Sequence, residues 1–561
     1  MNPELLRAAL TAPSYPHVRR RVLRQLFESL LYEEAIDQGV NGTLIGANGV
    51  RYTYTARRRE TFGRVTVDEL LRDGEEPTSV GVLLSELAEH IEADPEHLAR
   101  FTKELEETLL KDAVAHHLRE GETVKTDYDT LESQVIEGHR YHPAYKSRIG
   151  FDLVDNLAYG PEFAQPIRPL WLAVNRDIAE VNASRGVEES GFLRAQLGSA
   201  FDPLPGDDYT LLPVHPWQWR ERICHTYAEQ LRTDELVVLG EDPDTFTAQQ
   251  SIRTLSCVDN PDRPYLKLAM SLVNTSTSRV LAPHTVHNAP LISDWLYELV
   301  CTDPVLRDEW RPVLLRELLG TAVTADKGLL REAGYGTLGC VWRESLHPRL
   351  DPGEQAAPFT ALTARAADGS PLIDDWVSEH GLESWLRRLS KVAVLPLVRL
   401  LCEHGVALEA HAQNMVLLHR DGLPTRVALR DFHDGVRFSR AHLAQPSRCP
   451  TLRATPAHHG NRNSFVETDD PDLVADFLLD AFCFVNLGEL AMFLADNYGL
   501  DERDFWAVVR GCLRTYRERF PSAIFDLHKP TVSVEKLTTR RLLPDTEPRL
   551  HPAPNPLAHH D

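Results

Sequence analysis

The order of hydrophobic and polar residues predicts helices toward both ends of the chain and strands between them. Apolar residues recur at three- and four-residue spacing over residues 18–32, 67–72 and 80–118, which is the pattern of amphipathic helices. Within this region, an alternating Tyr-Thr-Tyr sequence predicts a hairpin over residues 43–58. Over residues 245–282 the period changes to two, so this segment is predicted to form the strands of a sheet.

The second half of the chain is predicted to be mainly helical. Helical spacing covers residues 288–319, 376–405, 473–498 and 505–520. Residues 346–371 are rich in Pro, Ala, Gly and Asp, a composition typical of a linker or a long surface loop. The predicted fold class is therefore α+β, with the helices and the sheet in different parts of the chain.

These patterns divide the chain into three domains and a tail. Length suggests roughly three domains or one large interlocked domain. We predict a helical domain at residues 1–135, a sheet-containing domain at residues 136–345 and a mainly helical domain at residues 346–543. Residues 544–561 are rich in proline and histidine, and we expect this tail to be disordered.

Composition and charge exclude several classes of function. The chain of 561 residues has a formal net charge of −23, and an acidic surface repels nucleic acids and membranes because both are polyanions. No apolar run reaches about 18 residues, and the amino terminus lacks the apolar core of a signal peptide. The 8 cysteines form no C-x-x-C pair, which is typical of a reducing compartment. We therefore predict a cytoplasmic protein with no nucleic-acid or membrane partner.

The densest group of chemically active residues surrounds one predicted hairpin. Apolar residues 415–418 and 427–429 predict two strands joined by a polar turn, so Asn414 and Asp431 would lie side by side at the open end. Carboxylate and amide oxygens that leave room for water and phosphate suit a Mg²⁺ ion carried by the substrate. Together with the nearby Glu409, these residues are candidate metal ligands.

A second group is cationic and lies on the predicted strands. Period-two alternation places Ser251 and Arg253 on one face, and Lys267 and Arg279 on adjacent strands would join them if they point to that face. Three cations and several hydroxyls on one surface would hold phosphate or carboxylate oxygens. A solvated sheet face is the alternative, but few acidic residues offset these cations.

The loop at residues 138–151 contains two histidines and three cations between glycine and proline residues. A loop of this composition can bind anions. A polar surface loop is an equal alternative, because a His-x-x-His pattern alone is a weak indication of a metal site.

The central hairpin also permits a kinase interpretation. Glu409 lies five residues before Asn414, and Asp431-Phe432 follows, which repeats the order of an acid, a metal-binding Asn and a metal-binding Asp in kinase catalytic loops. A phosphotransferase similar to the aminoglycoside kinases is therefore an alternative, although the first acid is Glu and no glycine-rich loop precedes it. A non-catalytic nucleotide-binding protein is the third alternative.

Considered in chain order, the motifs resemble the IucA/IucC family of NRPS-independent siderophore synthetases. The segments that carry the resemblance are Gly138-His139, His142-Pro143, Lys146, residues 212–218, Ser251–Thr254, Lys267-Leu268, Thr275–Arg279, Glu409–Asn414, Arg430-Asp431 and residues 536–542. One departure is Arg140-Tyr141 between the two histidines, where the family usually has a proline followed by another residue.

This resemblance implies a cupped-hand architecture. The three predicted domains would be a helical thumb, antiparallel-sheet fingers and a mainly helical palm, with ATP between fingers and palm. The residues implied to hold ATP are His142, Ser251, Arg253, Lys267 and Gln413. Those implied to face the carboxylate substrate are Thr275, Arg279 and His411, and those implied to serve Mg²⁺ are Glu409, Asn414 and Asp431.

The activity that the resemblance implies is ATP-dependent ligation. ATP would convert a carboxylate of citrate or a related acid into an activated AMP derivative with release of pyrophosphate, and an amine or hydroxyl would then attack it. Because the acid and ATP are both anionic, Mg²⁺ and a cluster of Arg, Lys and His would supply the charge stabilisation. The implied partners are small-molecule acids and amines or alcohols, and a homodimer is left open as the assembly.

Overall fold

The computed structural model combines helices with mostly antiparallel sheets, in agreement with the predicted α+β class. It describes residues 3–36, 41–122, 125–134, 140–198, 200–201, 206–274, 277–324, 333–366, 368–456, 458–459, 465–521, 525–544 and 549–558. Within these ranges the α-helices span Pro3–Thr11, Tyr15–Tyr32, Val80–Glu86, Pro95–Leu118, Tyr128–Gln134, Leu153–Tyr159, Glu189–Leu197, Pro216–Gln218, Cys224–Thr226, Ala228–Arg232, Pro283–Thr302, Asp374–His380, Leu382–His404, Pro471–Leu478, Gly488–Tyr498, Glu502–Arg519 and Thr539–Leu542. Segments of π-helix span Trp219–Ile223, Val305–Trp310 and Leu479–Leu487.

The strands are numbered in chain order. They are β1 Asn41–Ile45, β2 Arg51–Arg58, β3 Val65–Arg72, β4 Leu170–Asn175, β5 Ala179–Ala183, β6 Tyr209–Val214, β7 Leu236–Glu241, β8 Phe246–Ala248, β9 Thr254–Cys257, β10 Tyr265–Leu268, β11 Val273–Asn274, β12 Thr277–Ser278, β13 Val313–Leu314, β14 Glu317–Val323, β15 Gly339–Arg343, β16 Gln355–Pro358, β17 Val406–Leu408, β18 Met415–Arg420, β19 Leu423–Leu429, β20 Val436–Phe438, β21 Thr531–Glu535 and β22 Leu550–Pro554.

Two sheets position the residues of interest. One is a six-stranded antiparallel sheet with the order β5-β14-β15-β10-β9-β8, and the other is a four-stranded sheet with the order β13-β19-β18-β16. In the six-stranded sheet, Lys267 of β10 lies opposite Val341 of β15 and Thr254 of β9. Strands β9, β10 and β15 are buried along their whole length, so any charged side chain on them must find a partner inside the protein.

The predicted central hairpin is confirmed. Strands β18 and β19 pair in antiparallel register and are joined at Asp421 and Gly422, whose φ angles are 48° and 78°. Both residues tolerate the left-handed conformation that a tight hairpin turn requires. At the open end, the backbone N–H of Arg430 donates to the carbonyl of Asn414 at 3.1 Å, so Asn414 and Asp431 lie next to each other as expected.

The predicted helix at residues 67–72 is wrong. This segment belongs to β3, which pairs with β2 in a three-stranded sheet. Val67 and Leu70 are buried, and the N–H of Val67 donates to Oε1 of Glu28 at 2.9 Å. A short apolar run fits either a helical or a strand period, and tertiary packing decides between them. The predicted hairpin at residues 43–58 is confirmed by β1 and β2, so the amino-terminal region is not purely helical.

The predicted linker at residues 346–371 is also wrong. It contains β16, which pairs with β18, and its Phe359 and Leu362 are buried in the largest hydrophobic core. The helix predicted at residues 288–319 ends at Thr302, and β13 then pairs in parallel with β19. A strand from the predicted sheet domain thus joins the sheet of the predicted helical domain. The domain boundaries and the cupped-hand arrangement remain predictions.

The predicted disorder of the tail does not hold for residues 549–558. Strand β22 pairs with β21, and Ala553 is fully buried between them and the core. The side-chain amide of Asn555 donates to the carbonyls of Leu527 and Lys529 at 3.0 and 2.9 Å. Proline is compatible with an edge strand, so a proline-rich composition did not prevent this segment from pairing.

The helical stretch Pro471–Tyr498 is long and apolar enough to cross a membrane, but 78% of its most apolar window is buried inside the protein. Phe482, Phe493 and Leu494 from this stretch pack in the largest hydrophobic core. Packing therefore accounts for its apolar composition.

Candidate active site

A cavity of about 1380 Å³ lies where the six-stranded sheet meets the central hairpin. Its lining includes the predicted residues His142, Ser251, Arg253, Lys267, Arg279, Glu409, His411, Gln413, Asn414 and Asp431. Thr275 lies outside the described residues. The structure thus brings together residues that are far apart in the sequence, while their individual roles remain predictions.

Asp431 lies at the centre of the charges in this cavity. Its Oδ1 is 2.6 Å from Nη1 of Arg343, and its Oδ2 is 3.0 Å from Nζ of Lys267. Burial alone would raise the pKa of Asp431, but these two cations hold it well below its usual value. Burial lowers the pKa of Lys267 to about 8, against the opposing effect of Asp431. The carboxylate is therefore ionised, with both of its oxygens held by buried cations.

Arg343 was not identified from the sequence. It ends β15, and its second terminal nitrogen donates to Oε1 of Gln249 at 2.9 Å. Its guanidinium carbon lies 5.1 Å from the ring centroid of Tyr265, and the residue is only 2% exposed. A single cation at the end of an otherwise apolar strand was the available signal, because such a residue is rarely buried without a charged partner.

The predicted placement of Ser251 and Arg253 on one strand face is wrong. Both lie in the turn between β8 and β9, where Ile252 has a φ of 69°. Arg253 nevertheless reaches the cavity, and its Nη1 donates to the carbonyls of Arg279 and Val280 at 2.9 and 2.8 Å. The two predicted cations are thereby held next to each other. Burial, together with the charge of Arg253, lowers the pKa of Arg279 to about 10.

The candidate metal ligands lie on the hairpin side of the cavity. Nδ2 of Asn414 donates to the carbonyl of Glu409 at 3.0 Å, which leaves Oδ1 as its ligand atom. Burial and the nearby carboxylates of Asp434 and Asp431 raise the pKa of Glu409 to about 7. Within the described part of the chain, no group of three or more His, Cys, Asp and Glu residues could hold a metal by itself. This donor set fits a Mg²⁺ ion that also takes phosphate and water ligands.

The buried Arg430 connects the end of β19 to the segment before β18 and to the helix Tyr128–Gln134. Its Nε donates to the carbonyl of Gln413 at 2.8 Å, and its Nη1 lies 2.7 Å from Oε1 of Glu132 and 3.1 Å from the hydroxyl of Tyr128. The residue is 4% exposed. The charge of Arg430 is therefore balanced by Glu132 within the protein, and its hydrogen bond fixes the main chain at Gln413.

The loop at residues 140–151 contributes less free charge than its sequence suggested. Nζ of Lys146 lies 2.7 Å from Oδ1 of Asp112, and Nη2 of Arg148 lies 2.8 Å from Oε2 of Glu162. These internal ion pairs hold the loop in place. His142 is 8% exposed and lines the cavity, as do Arg140 and Tyr141 of the same loop.

Part of the cavity lining carries acidic residues. Its lining includes Asp476, Asp480 and Glu535. Burial, followed by the neighbouring carboxylates of Glu535 and Glu409, raises the pKa of Asp480 well above its usual value. Sequence reasoning missed this region, although acidic residues within the apolar stretch Pro471–Tyr498 were a visible signal. Two of these acids have cationic partners, since Asp476 pairs with Lys529 and Glu535 pairs with Arg540.

Solved structures of siderophore biosynthesis proteins share this architecture. The structure resembles petrobactin biosynthesis protein AsbB from Bacillus anthracis str. Sterne with a TM-score of 0.93 and 39% identity, over 100% of this chain and 98% of that one. It also resembles aerobactin synthetase IucC from a hypervirulent Klebsiella pneumoniae with a TM-score of 0.80 and 25% identity, over 97% of this chain and 98% of that one.

Relatives identified by sequence are a ligase and a synthase. The chain is 40% identical to a citryl-spermidine/3,4-dihydroxybenzoyl-citryl-spermidine:spermidine ligase of Bacillus anthracis, over 98% of this chain and 95% of the relative. It is also 40% identical to a 2-[(L-alanin-3-ylcarbamoyl)methyl]-3-(2-aminoethylcarbamoyl)-2-hydroxypropanoate synthase of Staphylococcus aureus, over 96% and 92% of the two chains.

Two family models match successive parts of the sequence. Residues 127–364 match the IucA / IucC family, and residues 383–550 match a family described as a ferric iron reductase FhuF-like transporter. With the full-length relatives, these matches establish that the chain belongs to the IucA/IucC family of siderophore synthetases and is a ligase. The resemblance inferred from the motifs is confirmed.

Proposed function

We propose that this ligase uses ATP to adenylate a carboxylate of citrate or a related acid and joins the activated acid to an amine. The observation that carries the proposal is the convergence of Arg253, Lys267 and Arg279 on a cavity whose other wall carries the oxygen ligands of the hairpin. Two anionic reactants repel each other, and fixed cations in a water-poor site offset that repulsion.

The residues that line the cavity bind different substrates in this proposal. His142, Ser251, Arg253 and Lys267 bind the triphosphate, and Gln413 lies near the nucleotide. Arg279 binds the acid through two parallel hydrogen bonds, and Thr275 is assigned to the same substrate by the family resemblance. His411 also faces the acid. Because burial lowers the pKa of His411 to about 4, this residue is neutral near pH 7 and acts as a hydrogen-bonding group.

Glu409, Asn414 and Asp431 would hold Mg²⁺ in this site. The ion, when bound, neutralises phosphate oxygens and makes the phosphorus easier to attack. The high pKa of Glu409 reflects burial and repulsion from Asp434 and Asp431. A divalent cation would relieve that repulsion, so the three side chains favour metal binding together with ATP.

The proposed reaction has two steps. A carboxylate oxygen attacks the α-phosphorus of ATP, and the bond to the β-phosphate breaks so that pyrophosphate leaves. The amine nitrogen then attacks the activated carboxyl carbon, an amide forms, AMP leaves and the nitrogen loses a proton. The residues of the cavity contribute by position and charge, and no covalent bond to the protein is needed.

The acidic part of the cavity lining supports a cationic amine as the second substrate. Asp480 lies near Asp476 and Glu535, which pair with Lys529 and Arg540, and an ammonium group beside Asp480 would favour its ionised form. Phe465 and Phe477 border the same region. The guanidinium of Arg437 lies 4.0 and 4.2 Å from the centroids of these rings, so the rings already accommodate one cation. The spermidine in the name of the Bacillus relative is in line with this class of amine.

A product assay tests the proposal. The purified enzyme is incubated with ATP, Mg²⁺ and citrate, with hydroxylamine as a general trap, and AMP, ADP, pyrophosphate and hydroxamate are quantified. We expect AMP and pyrophosphate in equal amounts, formed only when an acid is present. Spermidine in place of hydroxylamine should give an amide.

Two other outcomes would overturn the proposal. ADP without pyrophosphate would establish a phosphotransferase. ATP binding without turnover on a panel of di- and tricarboxylic acids would establish a non-catalytic nucleotide-binding protein.

A further inference from the structure

Two neighbouring strands of the six-stranded sheet reach across to the same short segment after β19. Glu317 of β14 lies directly opposite Arg343 of β15, so their side chains emerge on the same face of the sheet. Arg343 contacts Oδ1 of Asp431 at 2.6 Å, and the Glu317 carboxylate contacts Nδ1 of His433. One cross-strand pair thus holds two residues that are separated only by Phe432.

This contact is buried on all sides. Glu317 is 0% exposed and His433 is 2% exposed, and Phe432 between the two contacts packs in the largest hydrophobic core. The backbone N–H of Glu317 donates to Oγ of Ser293 at 2.9 Å, which fixes the start of β14. The segment is therefore held both by the sheet and by the core.

Asp431 has a backbone conformation that needs support. Its φ of 65° lies in the left-handed region, which is uncommon for residues other than glycine. Such a conformation persists when the surrounding structure holds it, and it is most frequent at functional sites. Lys267 and Arg343 hold the carboxylate, and the contact of Glu317 with His433 restrains the chain two residues further on.

Stability alone does not explain Glu317. Its Oε1 contacts His433, whereas its buried Oε2 has no hydrogen-bond partner among the described residues. A buried carboxylate with an unsatisfied oxygen is costly, so Oε2 of Glu317 offsets part of the stability that the contact with His433 provides. A buried polar group of this kind calls for a functional explanation.

We propose that Glu317 and His433 are positioning residues that hold Asp431 in the orientation needed for metal and nucleotide. The inference rests on the proposed function. It adds that the six-stranded sheet sets the geometry of the hairpin through this pair, without Glu317 touching any substrate. Residues that orient a metal ligand in this way typically change metal affinity or activity 10- to 100-fold when replaced.

The test compares ATP binding with and without a divalent ion. In Glu317→Gln the size and one acceptor oxygen are kept and the charge is lost. Titration calorimetry with ATP alone and with ATP plus Mn²⁺ gives the gain in affinity that the ion provides. We expect this gain and kcat to fall about 10- to 100-fold, while metal-free ATP affinity stays near that of the wild type because Arg253 and Lys267 are intact.

Two substitutions of His433 test whether a hydrogen-bond donor at this position restores the effect of the metal ion on ATP affinity. His433→Asn can place an amide N–H near the position of Nδ1 and donate to Glu317, whereas His433→Leu cannot. We expect His433→Asn to retain most of the Mn²⁺-dependent gain and His433→Leu to lose it.

Asp303 provides the matched control. It is 4% exposed, its Oδ2 lies 2.8 Å from Nε2 of His404, and it is not among the residues that line the cavity. Asp303→Asn should lower the melting temperature and leave the Mn²⁺-dependent gain unchanged. Glu317→Gln should lose most of this gain, whether or not its melting temperature also falls.

The outcomes separate this inference from the proposed function. If the wild type gains no ATP affinity from Mn²⁺, the proposed metal site is wrong. If the wild type shows the gain and Glu317→Gln matches it in gain and kcat, the positioning role is wrong. The role is also wrong if Glu317→Gln behaves like Asp303→Asn, with a lower melting temperature and an unchanged gain.

Discussion

Nζ of Lys267 lies 3.0 Å from Oδ2 of Asp431, so a residue proposed to bind phosphate neutralises a residue proposed to bind metal. Neither side chain could be buried alone without a large desolvation cost. In the proposed reaction, the triphosphate would take over the charge of Lys267, and Mg²⁺ would take over the charge of Asp431. The ion pair therefore keeps the site in place before the substrates arrive.

Replacing Asp431 should abolish turnover and also destabilise the protein. Asp431→Asn keeps the size and shape of the side chain, but it removes the negative charge that Lys267 and Arg343 share. Removing one partner of a buried ion pair costs about 3 to 5 kcal/mol, so the melting temperature should fall together with AMP production. Calorimetry and the product assay measure the two effects. Wild-type turnover in this variant would contradict the metal assignment.

Asn414 offers a test of metal binding with less effect on stability. Its described side-chain contact is one hydrogen bond to the carbonyl of Glu409, so Asn414→Ala should cost about 1 kcal/mol of stability. We expect turnover to fall strongly and to require more Mg²⁺, because an oxygen ligand is lost.

Asn486 is the matched control for this substitution. Its amide donates to the carbonyl of Ala410 at 3.0 Å, and it does not line the cavity. Asn486→Ala should keep the Mg²⁺ dependence of the wild type. Equal losses of activity in both variants would mean that the amides only support the fold of the hairpin.

A buried histidine should make the protein sensitive to acid. His215 is 0% exposed, its Nδ1 accepts the N–H of Trp217 at 3.1 Å, and burial lowers its pKa to about 3 from an ordinary value of 6.5. Between these values the unfolded chain binds a proton that the folded chain does not, so stability is complete above pH 6.5 and is lost as the pH falls. From pH 7.5 to 5 the loss from this residue is about 2 kcal/mol.

Urea unfolding at pH 7.5 and pH 5 measures this effect. His215→Asn retains an acceptor for the Trp217 N–H and cannot titrate, so its free energy of unfolding should change less between the two pH values. The exposed His225 gives the control, and His225→Asn should keep the wild-type pH dependence. An unchanged pH dependence in His215→Asn would mean that His215 has the same pKa in the folded and the unfolded protein.

Local sequence patterns predicted the central hairpin well because its two strands are adjacent in the chain. The turn at Asp421-Gly422 and the apolar runs on each side are local signals. They also indicated that Asn414 and Asp431 would meet. Contacts with the six-stranded sheet were different, since Arg343 and Glu317 reach the hairpin from strands about 90 to 115 positions earlier, and no local period reports such a distance.

The cationic residues were found, although their local structure was predicted incorrectly. Ser251 and Arg253 lie in a turn and not on a strand face, yet Arg253 still reaches the main chain at Arg279. A long side chain can compensate for an error of several ångströms in its backbone. Chemistry inferred from residue type is therefore less sensitive to local errors than the assignment of faces, which one turn reverses.

Arg279 is expected to recognise the acid and not ATP. Its Nη2 donates to the carbonyl of Asn274 at 3.2 Å, and its own carbonyl accepts from Arg253, so the two arginines are neighbours with different surroundings. Arg279→Lys removes the paired donors that match a carboxylate. A lost charged hydrogen bond is worth about 1.5 to 3 kcal/mol, so kcat/KM for the acid should fall about ten- to a hundredfold while ATP affinity changes little.

Arg253→Lys is the comparison, and it should weaken ATP binding instead. Equal losses of ATP affinity in both variants would place Arg279 in the phosphate site, and the proposed division of this wall between acid and nucleotide would then be wrong.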